Sequence, residues 1–159
     1  MTQTQAGSAP AASTPAAAIK TGMVVVRRSI PATADELFDA WLDPESLAQW
    51  MNPGDHRRNT VSVDARVGGA FEIVMHHQDG SKRHYGEYRV IERNKKLVFT
   101  WHSQATHHTE TLVTVEFHAA SDSTEIVLTH ERMPDHEAGL KHTKGWTRAL
   151  ELLEDFLKH

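Results

Sequence analysis

Residues His136 to Leu157 carry the longest uninterrupted helical pattern in the chain, and they follow a sequence made mostly of short strand-like runs. Leu140, Trp146, Leu150, Leu153 and Leu157 recur at helical steps with Ala149 and Phe156 beside them, while Lys144, Arg148, Glu151, Asp155 and Lys158 fall elsewhere on the wheel. Pro134 and Asp135 supply a start signal: the proline stops the preceding strand, Asp135 can accept a bond from the first free amides, and Glu137 suits the positive end of the dipole. A helix of this length runs roughly 33 Å at about 1.5 Å per residue. One face therefore needs an apolar partner as wide as a small sheet.

The rest of the chain supplies that sheet. Met23 to Ile30 is a β-branched run closed by Pro31. A helix then opens at Thr33 or Ala34, with Leu37, Phe38, Trp41 and Leu42 on its apolar side; Asp43-Pro44 breaks it, and a second short helix carries Leu47 and Trp50. From Thr60 to Glu131 the period becomes two: Val61 and Val63; Phe71, Ile73 and Met75; Gly86, Tyr88 and Val90; Leu97, Phe99 and Trp101; Val113, Val115 and Phe117; Ile126, Leu128 and His130. Turn-forming stretches separate them, among them Gly68-Gly69, Asp79-Gly80 and Arg93-Asn94-Lys95. Short links imply antiparallel neighbours, so the expectation is a seven-stranded meander interrupted by the helix pair. The predicted class is α+β: a curved antiparallel sheet wrapped around one long helix, with two short helices closing one end. A strongly curved sheet cannot lie flush on a straight helix along its whole length, so a cavity is expected between them.

Length and charge narrow the function classes. The chain has 159 residues, enough for one well-filled domain. Residues 1–22 are rich in Ala, Thr, Gln, Ser and Pro and read as a disordered tail ahead of a domain over residues 23–159; they lack the basic start and apolar centre of a secretory signal. Seventeen Lys and Arg against 21 Asp and Glu give a formal charge of −4, which offers no basic field for nucleic acid. There is no cysteine, hence no disulfide, thiol nucleophile or thiolate metal site, and no apolar run of the roughly 18 residues a membrane span needs. A cytoplasmic location is the expectation. Twelve histidines would swing the charge from −4 to +8 on full protonation.

Few of these side chains form a reactive constellation by spacing. The pairs His76-His77 and His107-His108 are strand neighbours that point to opposite faces, and His136 and His142 are six apart on a helix, so no metal site is expected. Gly68-Gly69 precedes a strand rather than a helix N-terminus, so no phosphate loop is indicated; no serine sits in a strand-turn-helix elbow, so no serine nucleophile is indicated; and no cofactor is expected. Acid–base chemistry stays open. His130 ends the last strand in phase with Ile126 and Leu128, and His142 lies one turn before Trp146; each can serve as donor, acceptor or base, or as a structural hydrogen-bonding group. Tyr88 points inward with a hydroxyl that needs a partner. The expected cavity lining is Phe71, Met75, Tyr88, Phe99, Trp101, Val113, Val115 and Trp146, with His130 and His142 at its wide end and Trp50 at its rim.

The order of elements, with Phe38-Asp39-Ala40-Trp41-Leu42-Asp43-Pro44-Glu45, Gly68-Gly69-Ala70-Phe71, Leu97-Val98-Phe99-Thr100-Trp101, Leu128-Thr129-His130 and Gly145-Trp146, resembles the helix-grip fold of the START-like (SRPBCC, Bet v 1-like) superfamily. Within it the chain is similar to bacterial members of the activator of heat-shock-protein-90 ATPase homologue family, over Met23 to Leu157. Met51 stands where relatives often carry a second tryptophan, which implies a wider pocket rim. The resemblance implies three functions on one fold: a carrier or receptor for a small hydrophobic or amphipathic molecule, a chaperone-associated interaction protein acting through the outer sheet face, or an enzyme using His130, His142 and Tyr88 on a small aromatic or polyketide-like substrate. The first is the expected role. Monomer and homodimer are both compatible with the exposed edge strand.

Overall fold

A computed structural model describes residues 22–54 and 58–158. The expected tail, residues 1–22, lies outside the described residues except for Gly22, whose carbonyl accepts the Met133 N–H at 2.9 Å. The elements follow in order: β1 (Val24–Ile30), α1 (Ala34–Leu42), α2 (Pro44–Trp50), β2 (Thr60–Val63), β3 (Ala70–His77), β4 (Gly80–Glu92), β5 (Lys96–Trp101), β6 (Thr111–Ala119), β7 (Thr124–Glu131) and α3 (His136–Leu157). The helix ends are chemically specified. Thr33 and Glu36 close a capping box on α1, Asp43 and Pro44 start α2, and Asp135 accepts the Ala138 N–H at 2.8 Å to start α3.

All seven strands pair antiparallel in the order β1-β7-β6-β5-β4-β3-β2. The run from β2 to β7 is the expected meander. β1 departs from it: the α1–α2 pair carries the chain across the end of the sheet, so β1 pairs with β7 and β1 and β2 form opposite edges. The long helix α3 fills the concave side, where Trp146, Ala149, Leu150 and Leu153 are buried. This is the helix-grip arrangement.

β4 joins the two halves of the sheet. Gly80 to Glu87 of this 13-residue strand pair with β3, and Tyr88 to Glu92 pair with β5. Gly86 stands near the change of partner, where a Cβ would sit 1.9 Å from the Thr100 carbonyl oxygen. Only a residue with no side chain allows that approach. Two residues on, a register shift between Tyr88 and Val90 changes which side chains face inward. The expectation that Val90 continues the inward set with Tyr88 is therefore corrected: Val90 pairs with Val98 on the outer face, and Ile91, opposite Leu97, packs on the core.

Candidate functional site

Sheet and α3 separate at the end marked by the β3–β4 turn, and a cavity of about 260 Å³ opens there. On α3 its wall is Lys141, His142, Gly145, Trp146 and Ala149, one continuous helix face. Gly145 and Ala149 are small, which keeps that face low: a Cβ on Gly145 would lie 3.9 Å from Pro53, in the loop after α2. The facing wall comes from Met75 and His77 of β3, Lys82 and His84 of β4 and Trp101 of β5, with Met51 and Pro53 closing one side and Ala105 the other. Met75 and Lys82 are register partners, as are Ile73 and His84. The cavity is larger than the roughly 150 Å³ space that takes benzene and close to the roughly 300 Å³ at which ligand pockets begin.

Besides His77 of the wall, three buried or half-buried histidines border or underlie this space, each held differently. His130 is fully buried, and its ring nitrogens are both engaged. The Trp146 indole N–H donates to His130 Nδ1 at 3.0 Å, which places the proton on Nε2; that N–H donates to Thr111 Oγ1 at 2.7 Å, whose hydroxyl in turn donates to the Trp101 carbonyl. A second proton on the ring would face an indole donor. Burial, and after it the neighbouring His142, holds the His130 pKa well below the ordinary histidine range. His130 is therefore held neutral as a hydrogen-bonded strut between strands and helix.

His142 contacts His130 edge to face, with centroids 4.8 Å apart. Its Nδ1–H donates to the Ala138 carbonyl at 2.8 Å, so Nε2 carries the lone pair on a residue of the cavity wall. Burial lowers its pKa. His84 lies against Trp101, with centroids 5.2 Å apart, and burial pushes it down to about 4. Its Nδ1 and the Trp101 indole N–H are enclosed without a hydrogen-bonding partner among the described residues.

The expected lining divides in two. Met75, Trp101, His142 and Trp146 do wall the cavity. Phe71, Tyr88 and Phe99 meet instead in a close aromatic cluster, with centroids 5.3 to 6.2 Å apart, around a void of only about 10 Å³. Burial raises the Tyr88 phenol above its ordinary range, so its hydroxyl stays protonated. Val113 and Val115 are fully buried in the sheet and take no part in the cavity wall. Trp50, expected at the rim, is corrected to a core residue: its N–H donates to the Ala40 carbonyl at 3.0 Å and its ring packs edge-on against Trp41. Met51, the next residue, reaches the cavity in its place. His130, His142 and Tyr88 therefore do not converge on one point.

Lys82, His84, Lys141, Gly145 and Ala149 were absent from the expected lining, although the pattern contained them. Extending the alternation of Gly86 and Tyr88 backwards puts His84 and Lys82 on the same inward face, and a step of three from His142 and from Trp146 reaches Gly145 and Ala149. Among the described residues no group of three or more His, Asp or Glu side chains could hold a metal ion, and no helix is long and apolar enough to cross a membrane.

Comparison with known proteins places this geometry. Protein CV1439 of Chromobacterium violaceum shares the fold with a TM-score of 0.73 at 22% identity, over 84% of this chain and 95% of that one. The AHSA1-like protein from Aeromonas hydrophila matches with a TM-score of 0.72 at 21% identity, over 86% and 92%. DynU16, from the dynemicin biosynthetic locus, matches with a TM-score of 0.73 at 20% identity, over 86% of this chain and 47% of its own. In sequence, an uncharacterised protein of Schizosaccharomyces pombe is 31% identical over 100 residues; the match covers 63% of this chain and 26% of that relative. Residues 31–158 match the family described as Activator of Hsp90 ATPase homolog 1-like protein, and the chain belongs to that family.

Proposed function

We propose that this protein binds a small hydrophobic or amphipathic molecule in the cavity between α3 and the sheet. The observation that carries the reading is the low helix face of Gly145 and Ala149 opposite Trp101 and Met75, which leaves room where the rest of the interface is closed. A glycine inside an α-helix costs up to about 1 kcal/mol relative to alanine. A site that keeps it open to a ligand gives that cost a purpose.

The test is Gly145→Leu. Leucine removes the helix penalty and projects into the cavity, so the variant should melt about 3 °C higher, the shift expected for roughly 1 kcal/mol in a domain of this size. Native mass spectrometry of protein purified from its own cells should show a bound small molecule on the wild type and none on the variant. A bound mass that survives in the variant, or none on the wild type, refutes the reading.

A second reading, an interaction protein for an Hsp90-type chaperone, is supported by the family match and by the outer sheet face. There Tyr85 stacks on His102 at 4.9 Å and 10°, with the Arg83 guanidinium 3.9 Å over its ring. Chaperone ATP turnover that responds to the protein, and stops responding when Tyr85→Ala is made, would favour it over the cavity reading.

A further inference from the structure

The cavity wall has a sign. Its ionisable groups among the described residues are Lys82, Lys141, His77, His84 and His142, and no Asp or Glu among the described residues contributes to it. Burial lowers the pKa of His84 and His142, so the positive charge of the wall is that of Lys82 and Lys141, and it stands on a chain whose formal charge is −4. Lys82 makes no ion pair among the described residues and stands beside Met75 on the sheet wall. Lys141 comes from the opposite wall; its partner is Glu137 at 3.6 Å, an exposed i,i+4 pair that competes weakly in water. Below them the floor is aromatic and soft, with Trp101 and Trp146 centroids 5.1 Å apart and the side chains of Met51 and Met75.

We propose that the cavity selects a small aromatic anion: a carboxylate on one or two fused rings, its flat body against Trp101, Trp146 and the methionines and its oxygens between Lys82 and Lys141 at the mouth. This specifies the ligand class of the binding reading above and rests on it. The volume of about 260 Å³ limits the rings to that number, since benzene fills roughly 150 Å³. The charge follows from the wall. A cationic ligand would meet two ammonium groups and, among the described wall residues, no carboxylate, whereas an anion is drawn towards the mouth before it docks, displaces the exposed Glu137 from Lys141 and pairs with both lysines after it.

Isothermal titration at pH 8 and low salt separates the possibilities with three probes of one shape: 2-naphthoate, 2-naphthamide and 2-naphthylmethylammonium. Naphthoate should bind about tenfold more tightly than the amide, the combined order of two partly exposed ion pairs, and the ammonium most weakly. In the Lys82→Gln/Lys141→Gln variant the acid should fall to the affinity of the amide, while the amide binds as to the wild type. Raising the salt to about 1 M should close the same gap in the wild type, because exposed pairs are screened. Equal affinity for acid and amide, or a preference that survives loss of both lysines, overturns the anion assignment and leaves cavity binding standing. Failure of all three probes to bind overturns both.

Discussion

Acid should unfold this protein well above the pH at which its carboxylates titrate, because the cavity end holds histidines that cannot be charged in place. In the unfolded chain a histidine takes its proton with a pKa near 6.5. In the folded chain burial holds His84 to about 4, His130 well below the ordinary range and His142 below it as well. Folded values below the unfolded one mean that this stability is complete above pH 6.5 and is lost as the pH falls through 6.5 towards the folded values. For His84 the full difference is worth roughly 3 kcal/mol, of which about 2 kcal/mol is gone by pH 5. His130 adds to it in the same direction, so unfolding near pH 5.5 should take up about two protons, a slope of roughly 2.5 kcal/mol per pH unit. That is steep against a typical total of about 5–15 kcal/mol. Urea unfolding followed by tryptophan fluorescence at pH 7.5, 6.5, 5.5 and 5.0 measures the slope, and His84→Asn should reduce it by about one proton. A stability that is flat between pH 7 and 5, or a slope unchanged by His84→Asn, would refute the reasoning.

Gly86→Ala should destabilise by at least about 1–3 kcal/mol, the usual range for overpacking, because its Cβ would lie 1.9 Å from the Thr100 carbonyl oxygen; thermal denaturation reads this directly. His130→Leu should cost about 2–4 kcal/mol, since it orphans the Trp146 indole N–H in a dry interior and removes the donor to Thr111 Oγ1, whose hydroxyl keeps its bond to the Trp101 carbonyl, and the same melt should show it. Thr33→Ala removes the acceptor for the Glu36 N–H and should cost about 1 kcal/mol in chemical denaturation, with the cavity untouched.

Most of the architecture was legible because two periods do not overlap. Residues 60–131 alternate and residues 136–157 recur at helical steps, and proline, glycine and Asp-Pro signals mark the boundaries. The position of β1 was not legible, since a short strand followed by a helix pair is compatible with either edge of the sheet. The inward phase of β4 was readable only as far as Tyr88, because no residue type announces the bulge that follows. Within the candidate site, aromatic residues on an inward phase cannot be divided by sequence into those that fill a core and those that wall a cavity. Phe71, Tyr88 and Phe99 touch one another, whereas Trp101 and Trp146 face a helix surface cut back to glycine and alanine. Trp50 and Met51 show the same limit at one step: the neighbour turns inward to the core and the methionine reaches the cavity.

A small molecule bound in this cavity would be reported by the methionines. Met51 and Met75 line it, while Met133 is buried in the core and is not part of its wall. A titration of methyl-¹³C-methionine protein with 2-naphthoate, followed by two-dimensional NMR and assigned by single Met→Leu substitutions, should move the Met51 and Met75 signals saturably through ring-current shifts and leave Met133 in place. Methyl signals that stay fixed throughout the titration, or a shift confined to Met133, would contradict the account.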